Sequence, residues 1–217
     1  MIDQISHEVE VPGGHPLALG FSDRNWRLYM ARKSDPGFVA FKQKVLERDI
    51  YTCYYCRFQA YQFMEVVNLN QNYGDTRFSN MVTACPFCAQ CHFVESVGQS
   101  DLDGGVMIYL PEMSQTQVNA FSHALFALMA CGSHQEESIK NIYRSFRLRA
   151  QVTEKMFGEG MSQPQQLGRL LVESRLKPTE QFKKKGWNGL RMLPLFPRFV
   201  HQVETWGRDA LAGWFEQ

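Results

Sequence analysis

Apolar positions repeat with a short period in the first half of the chain and with a helical period in the second half. Up to residue 111, short apolar segments alternate with turns, and beyond it apolar residues recur every three or four positions. The first 23 residues show little periodicity and contain a loop rich in glycine and proline. We therefore expect an α+β protein with an irregular lead-in over 1–23, an α+β region over 24–111 and a helical region over 112–217 packed on it as one compact unit.

Short segments of the first half carry two kinds of pattern. The alternation of Trp26, Leu28 and Met30 is typical of a strand, whereas apolar residues from Phe38 onwards share one face of a helix. Three further apolar segments are bounded by turn residues and are also typical of strands. We expect strands over 26–31, 65–69, 80–84 and 106–110 and a helix over 38–49.

Helix boundaries in the second half are marked by capping residues. A serine followed three residues later by Gln or Glu predicts a helix start, and this pattern occurs at Ser114/Gln117, Ser133/Glu136 and Ser162/Gln165. Gly132 and Gly158 predict the ends of the first two helices. A last helix is expected after Pro197. We interpret His123, which falls in the first of these apolar helices, as a core histidine.

Five of the six cysteines lie in a 39-residue window, as Cys53-x-x-Cys56 and Cys85-x-x-Cys88-x-x-Cys91. Each Cys-x-x-Cys turn directs two thiolates at one point, and two such turns supply the four ligands of a tetrahedral structural Zn²⁺ site. We expect Cys53, Cys56, Cys85 and Cys88 to bind zinc, with Cys91 as the alternative to Cys88. The residues before each pair fit a treble-clef fold, in which the second turn begins a helix.

Composition and charge narrow the class of protein. The chain is 44% hydrophobic, enough for a sizeable core, and its 23 basic and 22 acidic residues give no basic excess for binding nucleic acid. It has no apolar run long enough to span a membrane and no signal-peptide pattern at its start. We therefore expect a cytoplasmic location, where thiols stay reduced and clustered cysteines favour a metal over disulfides.

The cysteine-rich segment carries a second pattern, made of Leu46-Glu47-Arg48-Asp49, Cys53-x-x-Cys56, Glu65-Val66-Val67-Asn68, Asn80-Met81 and Cys85-Pro86-x-Cys88. It resembles the finger of HNH nucleases. The resemblance implies a histidine pair where this chain has Val67 and Asn68, and a histidine where it has Ala89, whereas Asn80 matches. Valine neither binds a metal nor transfers a proton, so we expect the fold without the nuclease activity and no catalytic residue.

Three alternatives remain open from the residues alone. One is a divergent HNH-type nuclease whose metal is held by other ligands. Another is a zinc module that binds nucleic acid without cutting it, which the balanced charge disfavours. The last is a redox role for one Cys-x-x-Cys pair, which usually occurs in a βαβ setting that this sequence does not show.

Further motifs extend over nearly the whole chain from about residue 25 to residue 210: Trp26-Arg27-Leu28-Tyr29-x-Ala31-Arg32-Lys33, Arg48-Asp49-x-Tyr51-Thr52-Cys53, Val67-Asn68-Leu69, Cys88-Ala89-Gln90-Cys91, Phe93-Val94-Glu95-Ser96-Val97-Gly98, Ile108-Tyr109-Leu110-Pro111-Glu112, Asn141-Ile142-Tyr143-Arg144-Ser145-Phe146 and Phe157-Gly158-Glu159-Gly160. Through them the chain resembles the IcmJ/DotN family of Dot/Icm type IVB secretion systems.

The family resemblance implies a non-enzymatic subunit with an HNH-like zinc fold. It also implies a place in the coupling complex, in the cytoplasm and peripheral to the inner membrane. The implied partners are the C-terminal tail of the DotL coupling ATPase and, in the same complex, the adaptors IcmS and IcmW, which together support effector recruitment. Neither nucleic acid nor direct membrane insertion is implied. The first 24 residues match no part of the family pattern.

Overall fold

The computed structural model describes residues 11–99, 104–132, 136–173 and 187–215, with side chains up to residue 210 in the last of these segments. It is an α+β protein, as predicted. Within the described residues the elements are α1 (Asp23–Lys33), α2 (Pro36–Arg48), β1 (Glu65–Asn68), β2 (Met81–Ala84), α3 (Pro86–Ala89), β3 (Gly105–Tyr109), α4 (Gln115–Ala130), α5 (Glu136–Leu148), α6 (Ala150–Phe157), α7 (Pro164–Glu173), β4 (Leu190–Pro194) and α8 (Phe196–Phe215).

Two antiparallel strand pairs make up the sheets of the described segments. β1 pairs with β2, so that Glu65 lies opposite Ala84. β3 pairs with β4, so that Gly105 lies opposite Pro194. Strand β4 was not predicted, because a short apolar run just before a helix has no period of its own. This second pair joins the region predicted to be α+β to the region predicted to be helical.

The strand predicted over 26–31 is wrong, because these residues lie in helix α1. The side chain of Ser22 caps the helix by accepting a hydrogen bond from the amide of Asn25 at 3.3 Å. Trp26 and Tyr29, three residues apart, both pack on Phe93, with ring centroids 5.3 and 4.7 Å away. The cap and the i, i+3 pair outweigh the loose alternation on which the strand was predicted.

The other predicted elements of the first half are present, and each begins and ends within two residues of its predicted bounds. The helix predicted over 38–49 is α2, which begins earlier because Asp35 caps it and Pro36 occupies its first turn. The strands predicted over 65–69, 80–84 and 106–110 are β1, β2 and β3.

In the second half, both hydrogen bonds of the predicted capping box at Ser114 and Gln117 are present at the start of α4. The second predicted helix is divided into α5 and α6, since the chain turns at Arg149 and the carbonyl of Arg149 accepts a bond from Tyr109 of β3 at 3.4 Å. Its start signal at Ser133 lies outside the described residues. The third predicted helix is α7, and the last is α8, which buries Phe199, Val203 and Trp206.

The centre of the molecule is the segment 80–97, in which every residue is buried. Helix α1 packs on Phe93 of this segment, and α7 lies against the last turn of the segment. The ring centroid of Phe199 in α8 lies 4.7 Å from that of Phe87. The irregular residues before α1 also bind this segment, because Gly20 exchanges main-chain hydrogen bonds with Cys91 and Val94. The second cysteine pair therefore lies at the centre of the packing.

None of the helices in the described segments combines the length and the apolar character that crossing a membrane requires.

Close packing of α7 on the central segment predicts a large effect of one methyl group. A Cβ added at Gly168 would lie 2.5 Å from the main-chain nitrogen of Glu95, so Gly168→Ala forces two backbones apart. We expect a loss of about 1–3 kcal/mol in the free energy of unfolding, measured by chemical denaturation. Gly207→Ala is the matched control, because a Cβ on that helical glycine meets nothing within 4 Å. It should stabilise the protein by about 0.5–1 kcal/mol, and equal effects of the two changes would contradict this packing.

Candidate metal centre

The first cysteine turn, residues 53–56, follows a reversal of the chain at the end of α2. Ile50 and Tyr51 both have positive φ, and the amide of Tyr51 bonds to the carbonyl of Leu46 at 2.8 Å, which closes the helix end. The amide of Tyr54 then bonds to the carbonyl of Thr83 at 2.8 Å. The turn is thereby attached to β2, the strand that leads directly to the second pair of cysteines.

The second cysteine turn, residues 85–88, begins helix α3. Cys85 is the N-cap residue and Pro86 occupies the first helical position, where its missing N–H costs nothing. The amide of Cys88 bonds to the carbonyl of Cys85 at 3.0 Å and closes the turn. A cysteine turn, a hairpin and a second turn that begins a helix are the parts of the predicted treble clef.

The sulfur atoms of Cys53, Cys56, Cys85 and Cys88 all lie within 4.8 Å of one another, and all four residues are buried. The sulfurs of Cys56 and Cys85 are 3.6 Å apart. Tetrahedral Zn²⁺ with bonds of about 2.3 Å places its sulfur ligands roughly 3.8 Å apart. The cluster could therefore hold a metal ion, and its four sulfurs fit the donor set that zinc prefers.

Burial sets the protonation of these sulfurs. It raises the pKa of the Cys85 and Cys88 thiols well above the ordinary value, and the neighbouring Cys53 adds to the rise. Burial acts in the same direction on Cys53, but hydrogen bonds with the other three cysteines outweigh it and leave the pKa of Cys53 below the ordinary value. A divalent cation bound at the cluster would compensate the charge of four thiolates.

Cys91 lies outside this group of four. Its thiol donates a hydrogen bond to the carbonyl of Phe87 at 3.3 Å, and burial raises its pKa to about 12. The assignment of Cys88 rather than Cys91 as the fourth ligand stays a prediction.

Two side chains of α4 that the sequence analysis did not connect with the cysteines reach the cluster. The amide nitrogen of Asn119 lies 3.2 Å from the sulfur of Cys88, and Nε2 of His123 lies 3.2 Å from the sulfur of Cys85. The interpretation of His123 as an ordinary core histidine therefore omitted its nearest polar neighbour. The signal in the sequence is weak: Gln115, Asn119 and His123 recur every four positions and so share one face of the predicted helix.

The positions that correspond to HNH catalytic histidines are part of the core. Val67 and Ala89 are fully buried, and neither side chain can take up a proton. Asn68 is also buried, and Arg32 donates to its oxygen at 2.5 Å while its nitrogen donates to the carbonyls of Asn72 and Asp75. Asn68 therefore connects α1 to the loop between β1 and β2.

Asn80, the residue that matches the HNH pattern, pairs with another asparagine. Its oxygen accepts from the amide of Asn70 at 3.2 Å, and its nitrogen donates to the side-chain oxygen of Asn70 at 3.0 Å. Its hydrogen-bonding groups are thus engaged in closing the loop that joins β1 and β2.

His92 is held between two tyrosines in the core. Its Nε2 lies 3.0 Å from the hydroxyl of Tyr55 and its Nδ1 lies 3.1 Å from the hydroxyl of Tyr73. A neutral ring satisfies both, since one nitrogen donates and the other accepts. Burial, assisted by the positive charge of Arg32, lowers the pKa of His92 from 6.5 to about 3. The ring ties the first cysteine turn, through Tyr55, to the β1–β2 loop.

Comparison with known proteins gives one extensive match. No protein-family model matches the chain. The chain is 45% identical over 195 residues to the type 4 apparatus protein DotN of Legionella pneumophila, and the match covers 90% of this chain and 91% of that protein. The similarity therefore extends over the cysteine-rich and helical regions alike.

Serine substitutions at Cys88 and Cys91 separate the two candidates for the fourth ligand. Because serine replaces only the sulfur, Cys88→Ser should reduce the metal content from about one ion per chain to about none. Cys91→Ser should keep the metal, because its hydroxyl can still donate to the carbonyl of Phe87 and no ligand is removed. Elemental analysis of the purified proteins measures the metal, and retention in Cys88→Ser with loss in Cys91→Ser would reverse the assignment.

His92 should make stability fall as the pH falls. The unfolded chain binds a proton on this ring below about pH 6.5, whereas the folded protein keeps it neutral down to about pH 3. The stabilisation by His92 is therefore complete above pH 6.5 and declines below it by up to about 1.4 kcal/mol per pH unit. The difference in unfolding free energy between the wild type and His92→Phe, followed by denaturation from neutral to acidic pH, should shrink accordingly.

Any pH effect of the metal is present in both proteins and cancels in that difference. A difference that stays constant with pH would contradict the buried neutral state of His92.

Proposed function

The chain belongs to the family of the type 4 apparatus protein DotN, and from this membership we propose that it is a non-enzymatic subunit of a type IVB secretion coupling complex. In this proposal it is a zinc-stabilised scaffold that binds the C-terminal tail of the DotL coupling ATPase, with the adaptors IcmS and IcmW in the same complex. It acts in the cytoplasm, peripheral to the inner membrane, and supports effector recruitment. The observation that carries the proposal is the identity shared along nearly the whole length of both proteins.

The composition of the cysteine cluster supports a structural role for the metal. When bound, Zn²⁺ would supply four metal–sulfur bonds that join the two cysteine turns, and four protein ligands leave no position for a substrate or a reactive water. The main chain positions both turns, because the first is hydrogen-bonded to β2 and the second begins α3. Metal binding then contributes directly to the stability of the folded state.

The surroundings of the cluster support the absence of nuclease activity. Val67 and Ala89 stand where metal-binding histidines would be needed, and both are fully buried. Asn68 is committed to hydrogen bonds with Arg32 and with two main-chain carbonyls. Hydrolysis of a phosphodiester by a metal needs an open coordination site and a group that accepts a proton, and these positions provide neither.

A scaffold protein should bind the tail of its partner directly, without a third protein or a nucleotide. Isothermal titration of the full-length, zinc-loaded protein with the isolated C-terminal tail of DotL should give saturable binding with a Kd of about 1 μM or tighter, equivalent to about −8 kcal/mol. A tail of the same composition in scrambled order is the control. Absence of binding to the native tail would contradict the proposed role.

A plasmid-nicking assay with added divalent metals tests the enzymatic alternative on the same preparation. We expect no cleavage above the level of a metal-free blank. Cleavage that disappears in Asn80→Ala would instead establish a divergent nuclease, and a salt-dependent shift of DNA on a gel without cleavage would favour a nucleic-acid-binding module.

A further inference from the structure

A buried chain of hydrogen bonds leads from β4 to the cysteine cluster, and its first link is Gln115 at the start of α4. The side-chain oxygen of Gln115 accepts from the amide of Met192 at 2.8 Å, and its nitrogen donates to the carbonyl of Met192 at 2.8 Å. A main-chain N–H can only donate and a carbonyl can only accept, so the Gln115 amide has one possible orientation.

The orientation of Gln115 determines that of Asn119, one turn further along α4. The nitrogen of Gln115 also donates to the oxygen of Asn119 at 3.0 Å. The nitrogen of Asn119 must then face the other way, where it lies 3.1 Å from the carbonyl of Phe87 and 3.2 Å from the sulfur of Cys88. Asn119 is fully buried, so it cannot exchange these partners for water. The amide therefore presents an N–H group to the sulfur of Cys88.

His123, one turn beyond Asn119, reaches the other sulfur of the second cysteine turn. Its ring is stacked between Phe58 and Phe87, with centroid distances of 3.7 and 4.0 Å, and this fixes the plane of the ring. In that plane Nε2 lies 3.2 Å from the sulfur of Cys85. A metal-bound thiolate can only accept a hydrogen bond, which requires the proton to be on Nε2.

We propose that Asn119 and His123 are positioning residues of the metal centre, whose N–H groups donate to the Cys88 and Cys85 thiolates and retain the bound ion. The proposal rests on the proposed function, since it requires zinc at the four cysteines. Four thiolates around Zn²⁺ carry a net charge of −2 in a buried site, and donors aimed at the sulfurs offset that charge. They also hold both sulfurs of the second turn in the geometry that the ion needs.

The same contacts connect metal retention to the packing of the helical region. Gln115 touches no sulfur, yet it holds the oxygen of Asn119 away from the cysteines. Without Gln115, only the carbonyl of Phe87 would keep the nitrogen of Asn119 on the side of the Cys88 sulfur. The pairing of β4 with the start of α4 thus supports the ligand geometry at Cys88. His123 also lines a groove of about 690 Å³ between α4 and α8, so its ring lies between that groove and the sulfur of Cys85.

The rate of zinc transfer to a chromophoric chelator, measured on the folded full-length protein, tests the proposal. Asn119→Asp keeps the shape of the side chain but replaces the donor by an oxygen, and His123→Phe keeps the stacked ring but removes the N–H. Each should release zinc about 10–100 times faster than the wild type. Gln115→Leu should also release zinc faster, although it contacts no ligand.

Matched controls make the same chemical changes elsewhere. Asn141→Asp on α5 and His201→Phe on α8 lie on the exposed surface and should release zinc at the wild-type rate within about twofold. Release at the wild-type rate by both Asn119→Asp and His123→Phe would overturn the proposal. If the wild-type protein binds no zinc, the proposed structural metal fails instead, so the two failures are distinguishable.

A measurement on the wild type keeps the proposal testable even if the variants do not fold. In protein loaded with a spin-half cadmium isotope, the nuclear spins of donor protons couple to the metal through N–H···S hydrogen bonds. We expect correlations from the side-chain amide of Asn119 and from the Nε2 proton of His123. A purely structural role would give none, and the absence of both correlations would refute the proposal.

Discussion

The structure depends on one constraint: four cysteine sulfurs must meet at a single buried point. Residues 80–97, which contain the second cysteine turn, are buried throughout, and α1, α4, α7 and α8 all pack on this segment or beside it. A buried group of thiols is poorly satisfied by hydrogen bonds alone, whereas a divalent cation satisfies all four at once. The position of the cluster therefore fixes where the surrounding helices can lie.

Core residues occupy the positions at which the sequence resembles the HNH nucleases. Where a nuclease needs metal-binding histidines, this chain has an apolar side chain at Val67 and a hydrogen-bonded link at Asn68. His92 is likewise committed to two tyrosine hydroxyls. The polar groups at these positions therefore join segments of the core.

The two halves of the chain are joined by more than apolar contact. β4 completes a strand pair with β3, and Gln115 uses the main chain of the same strand to orient Asn119 toward the cysteines. Hydrogen bonds therefore connect β4 and the start of α4 to the second cysteine turn.

Features that depend on neighbouring residues could be predicted from the sequence. The Cys-x-x-Cys spacing indicated the cluster, the box at Ser114 located the start of α4, and Val67 and Ala89 argued against a nuclease. Tertiary structure decided the rest: that residues 26–31 are a helix packed on Phe93, that 190–194 pair with β3, and that Asn119 and His123 face the sulfurs. A helix cap or a metal-binding turn depends on residues within about four positions of each other. The partner of a strand or the donor to a sulfur lies tens of residues away in the chain, and burial of apolar surface in the folded protein brings the two together.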